Sequence, residues 1–298
     1  MTDLGLSLRN HLKETIVVSP LSVLRTVQDE DESTKVLFAL NDGECVEGVL
    51  IPEEERLTAC LSSQAGCAVN CGFCATGQIG FKRNLSAGEI VSQLILLEKL
   101  ALKRVTNVVM MGMGEPLHNI PALFKAIRLL IDPDGLGISH RRLTVSTVGW
   151  VPGIRAMIEQ DINVKLAISL TATTDELRRQ LTPLAARFTL AELMKAMRDY
   201  SKYTKFRVSI SYLLLDGINA TLEDADRLIE MLKGIPCKIN LMEYNEVVPS
   251  FRRTSPEVTQ AFRERLLGAN LTATIRASRG RGVKGACGQL AGGYADFI

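Results

Sequence analysis

The sequence predicts an α/β protein in which a partial (β/α)6 barrel follows a small N-terminal antiparallel β meander. Short alternating runs with a turn motif come first, and from Leu57 onward apolar runs alternate with segments of helical periodicity. The second pattern is typical of βα units and a parallel sheet. Six units are too few for a closed eight-unit barrel, so we expect an open one with its chemistry at the carboxyl ends of the strands.

The meander is predicted from three strands at residues 21–26, 35–40 and 45–51. Asn41, Asp42 and Gly43 form a hairpin turn between the second and third. With a helix ahead of these strands, residues 1–55 form an accessory region. Residues 56–298 then form the barrel with a C-terminal segment.

The barrel is predicted from alternating strands and helices. Strands are expected at 56–61, 104–111, 142–147, 164–170, 206–214 and 237–242, with a further candidate at 271–276. Helices are expected at 87–100, 120–130, 152–159, 190–203, 222–232 and 256–267. Ser86 and either Thr254 or Ser255 suit helix caps, and Pro152 and Pro256 suit a first helical turn.

Composition limits the class of protein. The 298 residues are 46% hydrophobic and 23% charged, which excludes a disordered or low-complexity chain. Seven cysteines are too few for a disulfide scaffold, and an odd number suits a reducing compartment. Since the sequence shows neither a signal peptide nor an apolar run of about 18 residues, we expect a cytoplasmic protein without membrane association.

Charge is unevenly distributed along the chain. The net charge is +2, but the segment from Arg252 to Lys284 holds eight basic and two acidic residues, a local balance of +6. Such a segment suits a polyanionic partner. A solvated helix face followed by a basic loop explains the same pattern.

A cysteine motif follows the first barrel strand. Cys67, Cys71 and Cys74 form a CxxxCxxC pattern, whose spacing lets three thiolates converge on one metal cluster. Three thiolates on an iron–sulfur cluster leave one iron open. Structural zinc is an alternative, but such sites normally pair two halves and no second half is near; buried inert cysteines are another. Neighbouring residues suit a tight, shielded loop: Gly66, Gly72, Phe73 and Gly77.

The next strand ends in the run from Gly112 to Pro116, which reads GMGEP. Backbone N–H groups and the Glu115 carboxylate at a strand end suit a zwitterionic amino group. A methionine-rich core strand followed by a glycine turn would explain the methionines but not the acid.

These motifs resemble those of the radical S-adenosylmethionine (radical SAM) enzymes, whose GGEP-like motif is similar to Gly112–Pro116. From about Leu21 onward the chain resembles one branch, the RlmN/Cfr adenosine methyltransferases. The shared landmarks are CLSSQAGC from Cys60, NL from Asn84, LTVSTVG from Leu143, AISL from Ala167, KINL from Lys238 and ACGQLAG from Ala286. The resemblance implies a [4Fe-4S] cluster on Cys67, Cys71 and Cys74, with S-adenosylmethionine bound to its open iron.

The resemblance also implies a covalent relay. Cys287 takes a methyl group from one S-adenosylmethionine, a radical from a second removes hydrogen from it, and the carbon radical adds to adenine. Cys60 then resolves the thioether bridge through a transient disulfide, and Glu47 accepts the ring proton. Taken singly, a cysteine such as Cys60 or Cys287 is usually a small buried hydrophobe, and strand alternation places Glu47 on an outward face. Cys45 and Cys237 are expected to be packing residues.

By the same resemblance, seven residues contact S-adenosylmethionine: Gly114, Glu115, Ser146, Ser169, Leu170, Thr171 and Asn245. The chain departs from the family at two of these places. Thr171 stands where the family usually has histidine, and Glu246 stands where a proline usually follows the asparagine.

The basic segment is expected to serve Cys287. Gly280 and Gly285 flank a stretch that would bend Cys287 into the barrel mouth. Four basic residues beside it are expected to lower the pKa of its thiol and to attract RNA phosphates: Arg276, Arg279, Arg281 and Lys284.

The family's substrate is adenosine in 23S ribosomal RNA, with tRNA as an added possibility and an electron donor such as flavodoxin. Pro116 after Glu115 favours carbon 2 over Cfr-like methylation at carbon 8. Only some twenty residues precede the meander, fewer than the helical N-terminal domain of longer members, so RNA binding is expected to differ. A radical SAM enzyme with a non-RNA substrate and a zinc-stabilised RNA-binding module remain the alternatives.

Overall fold

A computed structural model describes residues 4–15 and 20–293. In these ranges the strands are β1 (Leu21–Gln28), β2 (Thr34–Leu40), β3 (Cys45–Glu53), β4 (Arg56–Cys60), β5 (Gln64–Gly66), β6 (Phe81–Asn84), β7 (Asn107–Met110), β8 (Leu143–Thr147), β9 (Lys165–Leu170), β10 (Val208–Leu214), β11 (Cys237–Glu243) and β12 (Ala273–Arg276). The helices are α1 (Leu6–Thr15), α2 (Ala75–Ile79), α3 (Ala87–Ala101), α4 (Ile120–Ile131), α5 (Val151–Glu159), α6 (Asp175–Leu181), α7 (Leu190–Thr204), α8 (Leu222–Leu232) and α9 (Pro256–Gly268).

One ten-stranded sheet organises the molecule, in the order β1-β2-β3-β4-β7-β8-β9-β10-β11-β12. Strands β1 to β4 pair antiparallel, and the neighbours in this sheet from β4·β7 to β11·β12 pair parallel. Strands β5 and β6 form a separate antiparallel pair. The meander and the barrel therefore share one continuous sheet through β3 and β4. The parallel strands bring the loops after β4, β7, β8, β9, β10 and β11 to one edge.

Local sequence explains the principal boundaries. Gly43, at a φ of +90°, turns the chain between β2 and β3, and its N–H bonds to the oxygen of Leu40 at 3.1 Å. Ser86 and Glu89 form a capping box at the start of α3. Ser255, rather than Thr254, caps α9 by accepting from the N–H of Val258 at 3.3 Å.

The apolar faces of the helices cover the sheet in one main core. Ile90 and Leu94 of α3 and Val145 of β8 are fully buried there. A second, smaller apolar cluster lies under the cysteine loop, around Leu181, Leu215 and Tyr244. No helix within residues 4–15 and 20–293 is long and apolar enough to span a membrane.

The predicted fold class is confirmed: an open parallel barrel of six βα units follows an antiparallel meander, and the candidate strand at 271–276 forms β12. Four short elements lie outside the predicted set: α2, α6, β5 and β6. Helix α2 has five residues including Gly77, and α6 is the charged run DELRRQL, so neither shows the apolar periodicity that predicts a helix.

Candidate active site

The cysteine loop joins β5 to α2 at the carboxyl edge of the sheet. Cys71 is buried, and Cys67 and Cys74 are half-buried. The pKa of Cys67 is raised to about 12, mainly by burial and to a smaller extent by the charges of Glu115 and Cys74. Burial also raises the pKa of Cys71 well above its ordinary value, together with the charges of Cys74 and Cys67. The three cysteines lie on one short loop, in which the N–H of Cys74 bonds to the oxygen of Cys71 at 3.2 Å.

The backbone of this loop folds tightly. Gly66 has a φ of +71°, and a Cβ there would lie 1.8 Å from the oxygen of Gly80. The N–H of Cys67 bonds to that same oxygen at 3.0 Å. Phe73 covers the loop by packing edge-on against Phe251, with ring centroids 6.4 Å apart. Among the described residues, no three Cys, His, Asp or Glu side chains lie close enough to hold a single metal ion.

Glu115 lies in the loop after β7, with 2% of its surface exposed. Its carboxylate accepts from the N–H of Leu117 at 3.0 Å and from the N–H of Val148 at 2.9 Å, and so joins the ends of β7 and β8. Burial raises the pKa of Glu115 to about 7, against the effect of these hydrogen bonds. Because its charge also acts on Cys67 and Cys71, Glu115 lies beside the cysteine loop.

A polar run after β4 fixes the Glu115 loop. The side chain of Gln64 accepts from the N–H of Glu115 at 2.8 Å, and Ser62 Oγ accepts from the N–H of Met113 at 2.8 Å. Gly114, at a φ of +97°, has room for no side chain, because a Cβ would lie 2.5 Å from that of Gln64. Ser62 and Gln64 belong to the CLSSQAGC landmark, but the sequence alone predicted no role for them. Their position as polar residues just after the buried strand β4 could have indicated that they belong to the site.

The carboxyl ends of β8 and β9 bring further predicted contacts together. The hydroxyls of Ser146 and Ser169 lie 3.3 Å apart, and both side chains are half-buried. Leu170 and Thr171 are buried, and the Leu170 side chain belongs to the main core. The backbone oxygen of Thr171 accepts from Asn219 Nδ2 at 2.8 Å. Only the backbone of Leu170 can therefore face a ligand.

The segment that carries Cys287 lies against the end of the cysteine loop. The charge of Cys287 raises the pKa of Cys60, which burial raises most, and the charge of Cys74 in turn acts on Cys287. The segment after Cys287 rests on α2: the oxygen of Gly288 accepts from the N–H of Ala75 at 2.8 Å. Thr76 Oγ1 likewise donates to the oxygen of Leu290 at 2.6 Å, so a segment more than 200 residues along the chain returns to the cysteine loop.

The residue Cys287 is exposed, but neighbouring protein atoms displace water from around its sulfur. This desolvation has the largest effect on the pKa of the thiol. Burial raises the pKa of Cys287, and Arg276 acts to lower it. The expected lowering by four basic neighbours is therefore wrong in its net direction.

Asn245 connects β11 to the same segment. Its Nδ2 donates to the backbone oxygen of Cys287 at 3.1 Å, and its side chain is buried. Its Oδ1 is buried as well and accepts no hydrogen bond from the described residues. An unsatisfied buried acceptor of this kind is uncommon and suits a ligand that donates a hydrogen bond.

Glu47 is fully buried in β3, contrary to the outward position that alternation alone suggests. Its Oε1 lies 3.8 Å from Nζ of Lys35, which is also fully buried, and its Oε2 accepts from the N–H of Ala291 at 3.3 Å. Lys35 was missed at the sequence level, since a single lysine within a short strand carries no signal. The hydrogen bond from Ala291 places Glu47 beside the segment that holds Cys287.

All seven cysteines are free thiols in this structure, so Cys60 and Cys287 are not joined by a disulfide. Cys237 is buried in β11, as expected of a packing residue, and Cys45 is half-buried at the start of β3.

An open parallel barrel with three cysteines on one loop and a buried glutamate at the next strand end is the arrangement of a radical SAM enzyme, and the family model "Radical SAM superfamily" matches residues 61–232. Among curated proteins, the chain is similar to the dual-specificity RNA methyltransferase RlmN of Syntrophobacter fumaroxidans, with 44% identity over 98% of this chain and 86% of that protein. A probable RlmN of Thermus thermophilus is 43% identical over 98% and 83%. The chain belongs to the RlmN family and is an S-adenosylmethionine-dependent RNA methyltransferase.

Solved structures agree. A radical SAM methyltransferase from Sphaerobacter thermophilus superposes with a TM-score of 0.93 at 41% identity, covering 98% of this chain and 87% of that one. TYW1 with a lysine–pyruvate adduct shares the fold alone, at a TM-score of 0.51 and 14% identity over 90% of each chain.

Proposed function

We propose that this enzyme methylates carbon 2 of an adenosine in RNA by way of a methyl group carried on Cys287. The observation that carries the proposal is the position of the Cys287 segment. Asn245 Nδ2, just beyond the end of β11, donates to the Cys287 oxygen at 3.1 Å, and the N–H of Ala75, directly after Cys74, donates to the Gly288 oxygen at 2.8 Å. A cysteine placed there can receive a methyl group beside the cluster loop and be released by a second thiol without leaving the site.

The residues present fit the cofactors that the family implies. Three converging thiols match a [4Fe-4S] cluster with one open iron. Polar groups at successive strand ends suit S-adenosylmethionine, and the buried Oδ1 of Asn245 supplies an acceptor for it. We assign the cluster to Cys67, Cys71 and Cys74, and S-adenosylmethionine to Gly114, Glu115, Ser146, Ser169, Leu170, Thr171 and Asn245. When bound, these cofactors supply a methyl group and a 5′-deoxyadenosyl radical.

Cys287 acts first, as a thiolate nucleophile. Its proton must leave before its sulfur accepts the methyl group, and burial opposes that ionisation while Arg276 favours it. The Asn245 side chain holds the Cys287 backbone during this step. The methylated sulfur then faces the cysteine loop, where its methyl group loses a hydrogen atom and becomes bonded to the adenine ring.

Cys60 and Glu47 complete the reaction. The Cys60 sulfur attacks the Cys287 sulfur; a disulfide forms, the bond from the Cys287 sulfur to the methylene carbon breaks, and its electron pair stays on the carbon, which takes up a proton. Glu47 accepts the ring proton that the new carbon–carbon bond displaces, and the unpaired electron left on the adduct must pass to a one-electron acceptor, which the cluster would supply when bound. An external thiol reduces the disulfide for the next cycle.

For substrates we propose 23S ribosomal RNA and tRNA, because relatives at 44% identity are named dual-specificity RNA methyltransferases. The basic segment from Arg252 to Lys284 supports a polyanionic substrate. We also propose a cytoplasmic location and an electron donor of the flavodoxin type.

The test is methyl transfer by anaerobically reconstituted enzyme with labelled S-adenosylmethionine and either RNA. We expect the label first on Cys287, seen by mass spectrometry of the intact protein, and then in 2-methyladenosine after RNA digestion. A product methylated at carbon 8 would contradict the assigned position. Absence of label from both Cys287 and RNA would contradict the relay.

A further inference from the structure

The N-terminal strands hold the Cys287 segment on both sides of the cysteine. Two carboxylates of the turn between β1 and β2 and one of β3 accept hydrogen bonds from backbone N–H groups of that segment: Asp31 from Gly280 at 2.9 Å, Asp29 from Gly282 at 2.9 Å and Glu47 from Ala291 at 3.3 Å. The reacting cysteine therefore lies on a short stretch with an anchor at each end.

The upstream anchor is a closely fitted turn. The N–H of Gly285 bonds to the oxygen of Gly280 at 2.7 Å and closes the turn. Gly282 touches Asp29 so closely that a Cβ would lie 2.5 Å from Asp29 Oδ1. Burial would raise the pKa of Asp31, but hydrogen bonds from Gly280 and Ser33 and the charge of Arg279 bring it below its ordinary value. The ionised carboxylate is thus the form that fits the turn.

We propose that Asp29 and Asp31 are positioning residues for Cys287, a role that rests on the proposed function of Cys287 as the methyl carrier. They fix the turn at 280–285 so that the Cys287 sulfur stays within reach of both Cys60 and the cluster loop. A relay needs one sulfur to act at two neighbouring places, and anchoring both ends of a short stretch confines the sulfur to that range.

A local role in the β1–β2 turn is separable from this one. Asp31 also accepts from the N–H of Ser33, two residues on, at 3.0 Å. Asp132 makes the same local turn with the N–H of Asp134 at 3.0 Å and is exposed. Asp132→Ala therefore removes an equivalent turn without touching the Cys287 segment, and is the matched control.

The experiment measures how readily Cys60 and Cys287 form a disulfide. Reconstituted enzyme with unmethylated Cys287 is equilibrated anaerobically with oxidised and reduced glutathione. The protein thiols lose two electrons and two protons as oxidised glutathione becomes two molecules of glutathione. The Cys60–Cys287 peptide is then quantified by mass spectrometry.

We expect Asp29→Ala and Asp31→Ala each to lower the equilibrium constant for this disulfide by about tenfold, as loss of a hydrogen bond to a charged acceptor predicts. Asp132→Ala should stay near the wild-type value. Asp31→Asn, which has one acceptor oxygen for the two N–H groups that bond to Asp31, should fall between Asp31→Ala and wild type. Gly282→Ala should lower the constant by forcing Asp29 away. Added to Asp29→Ala, it should cause no further loss, because the colliding carboxylate is gone.

Wild-type values in both alanine variants would overturn the inference, as would an equal loss in Asp132→Ala. If Asp31→Ala fails to fold, the comparison of Gly282→Ala with and without Asp29→Ala tests the inference instead. Failure of the proposed function is recognised separately: wild-type Cys287 would then acquire no methyl group from S-adenosylmethionine, whatever the disulfide constants show.

Discussion

Asn245, two residues beyond β11, donates from Nδ2 to the backbone oxygen of Cys287 at 3.1 Å. The bond links a strand end of the barrel to the segment that carries the reacting thiol. Since Oδ1 of the same side chain is buried without a hydrogen bond from the described residues, one amide both holds the segment and offers an acceptor to a ligand.

Asn245→Ala should therefore slow methylation of Cys287 by about tenfold or more, because it removes both interactions. The measurement is a mass-spectrometric time course of the Cys287 methyl group with S-adenosylmethionine and without RNA. Iron content should be unchanged, since Asn245 contacts no cysteine of the cluster loop. Asn240→Ala, in β11 itself, is the control: its side chain contacts Thr274 and not Cys287. Equal rates in the two variants would refute the role of Asn245.

Cys60→Ala should leave Cys287 able to accept a methyl group but unable to release RNA. The expected result is a covalent protein–RNA adduct, seen as labelled RNA that migrates with protein on a denaturing gel. Cys237→Ala, which also removes a buried cysteine, should give no adduct. Free methylated RNA from the Cys60 variant would show that another group resolves the bridge.

Glu47→Gln should destabilise the protein and abolish turnover. Removing the negative charge of Glu47 beside the buried Lys35 ammonium costs about 3 kcal/mol of unfolding free energy. Adding Lys35→Met should restore much of that stability, because both charges are then gone. If Glu47 is the proton acceptor, the double variant stays inactive although it is stable. Denaturant unfolding and product analysis measure the two effects, and recovered activity would assign Glu47 a structural role only.

The cysteine loop could be found from sequence because its chemistry requires a local spacing, and the helices could be found because their apolar residues recur with helical periodicity. The Lys35–Glu47 pair could not, since strand alternation takes no account of a segment that returns from the far end of the chain to cover β3.

The pKa of Cys287 shows the same limit. Nearby basic residues in sequence predict a lowered pKa, but in three dimensions neighbouring protein atoms desolvate the thiol, and this raises its pKa more than Arg276 lowers it. Similarly, Asp29 and Asp31 lie in an unremarkable turn, and their contact with Gly280 and Gly282 spans some 250 residues.

Glu115 should make the cluster-free protein less stable as pH rises. Burial raises its pKa from 4.5 to about 7, so the folded state holds a proton that the unfolded state releases at lower pH. The stabilisation is complete below the unfolded value and is lost as pH rises to about 7. Between about pH 5 and pH 8 we expect a loss of about 2–3 kcal/mol, measured by denaturant unfolding. Glu115→Gln, which cannot ionise, should lack this part of the pH dependence; an unchanged profile would contradict the assignment.

RNA affinity should depend on salt through the basic segment beside Cys287. The slope of log affinity against log salt is negative, and each lost phosphate contact reduces its magnitude by about 0.7–0.9. Arg281→Gln with Lys284→Gln should therefore reduce the magnitude by about 1.4–1.8. Arg265→Gln is the control, because Arg265 is exposed on α9 and bonded to Asp226 of α8. Filter binding over a salt series gives the slopes. Methylation of Cys287 without RNA should be equal in all three proteins, which separates RNA binding from the chemistry; an unchanged slope in the double variant would place the RNA elsewhere.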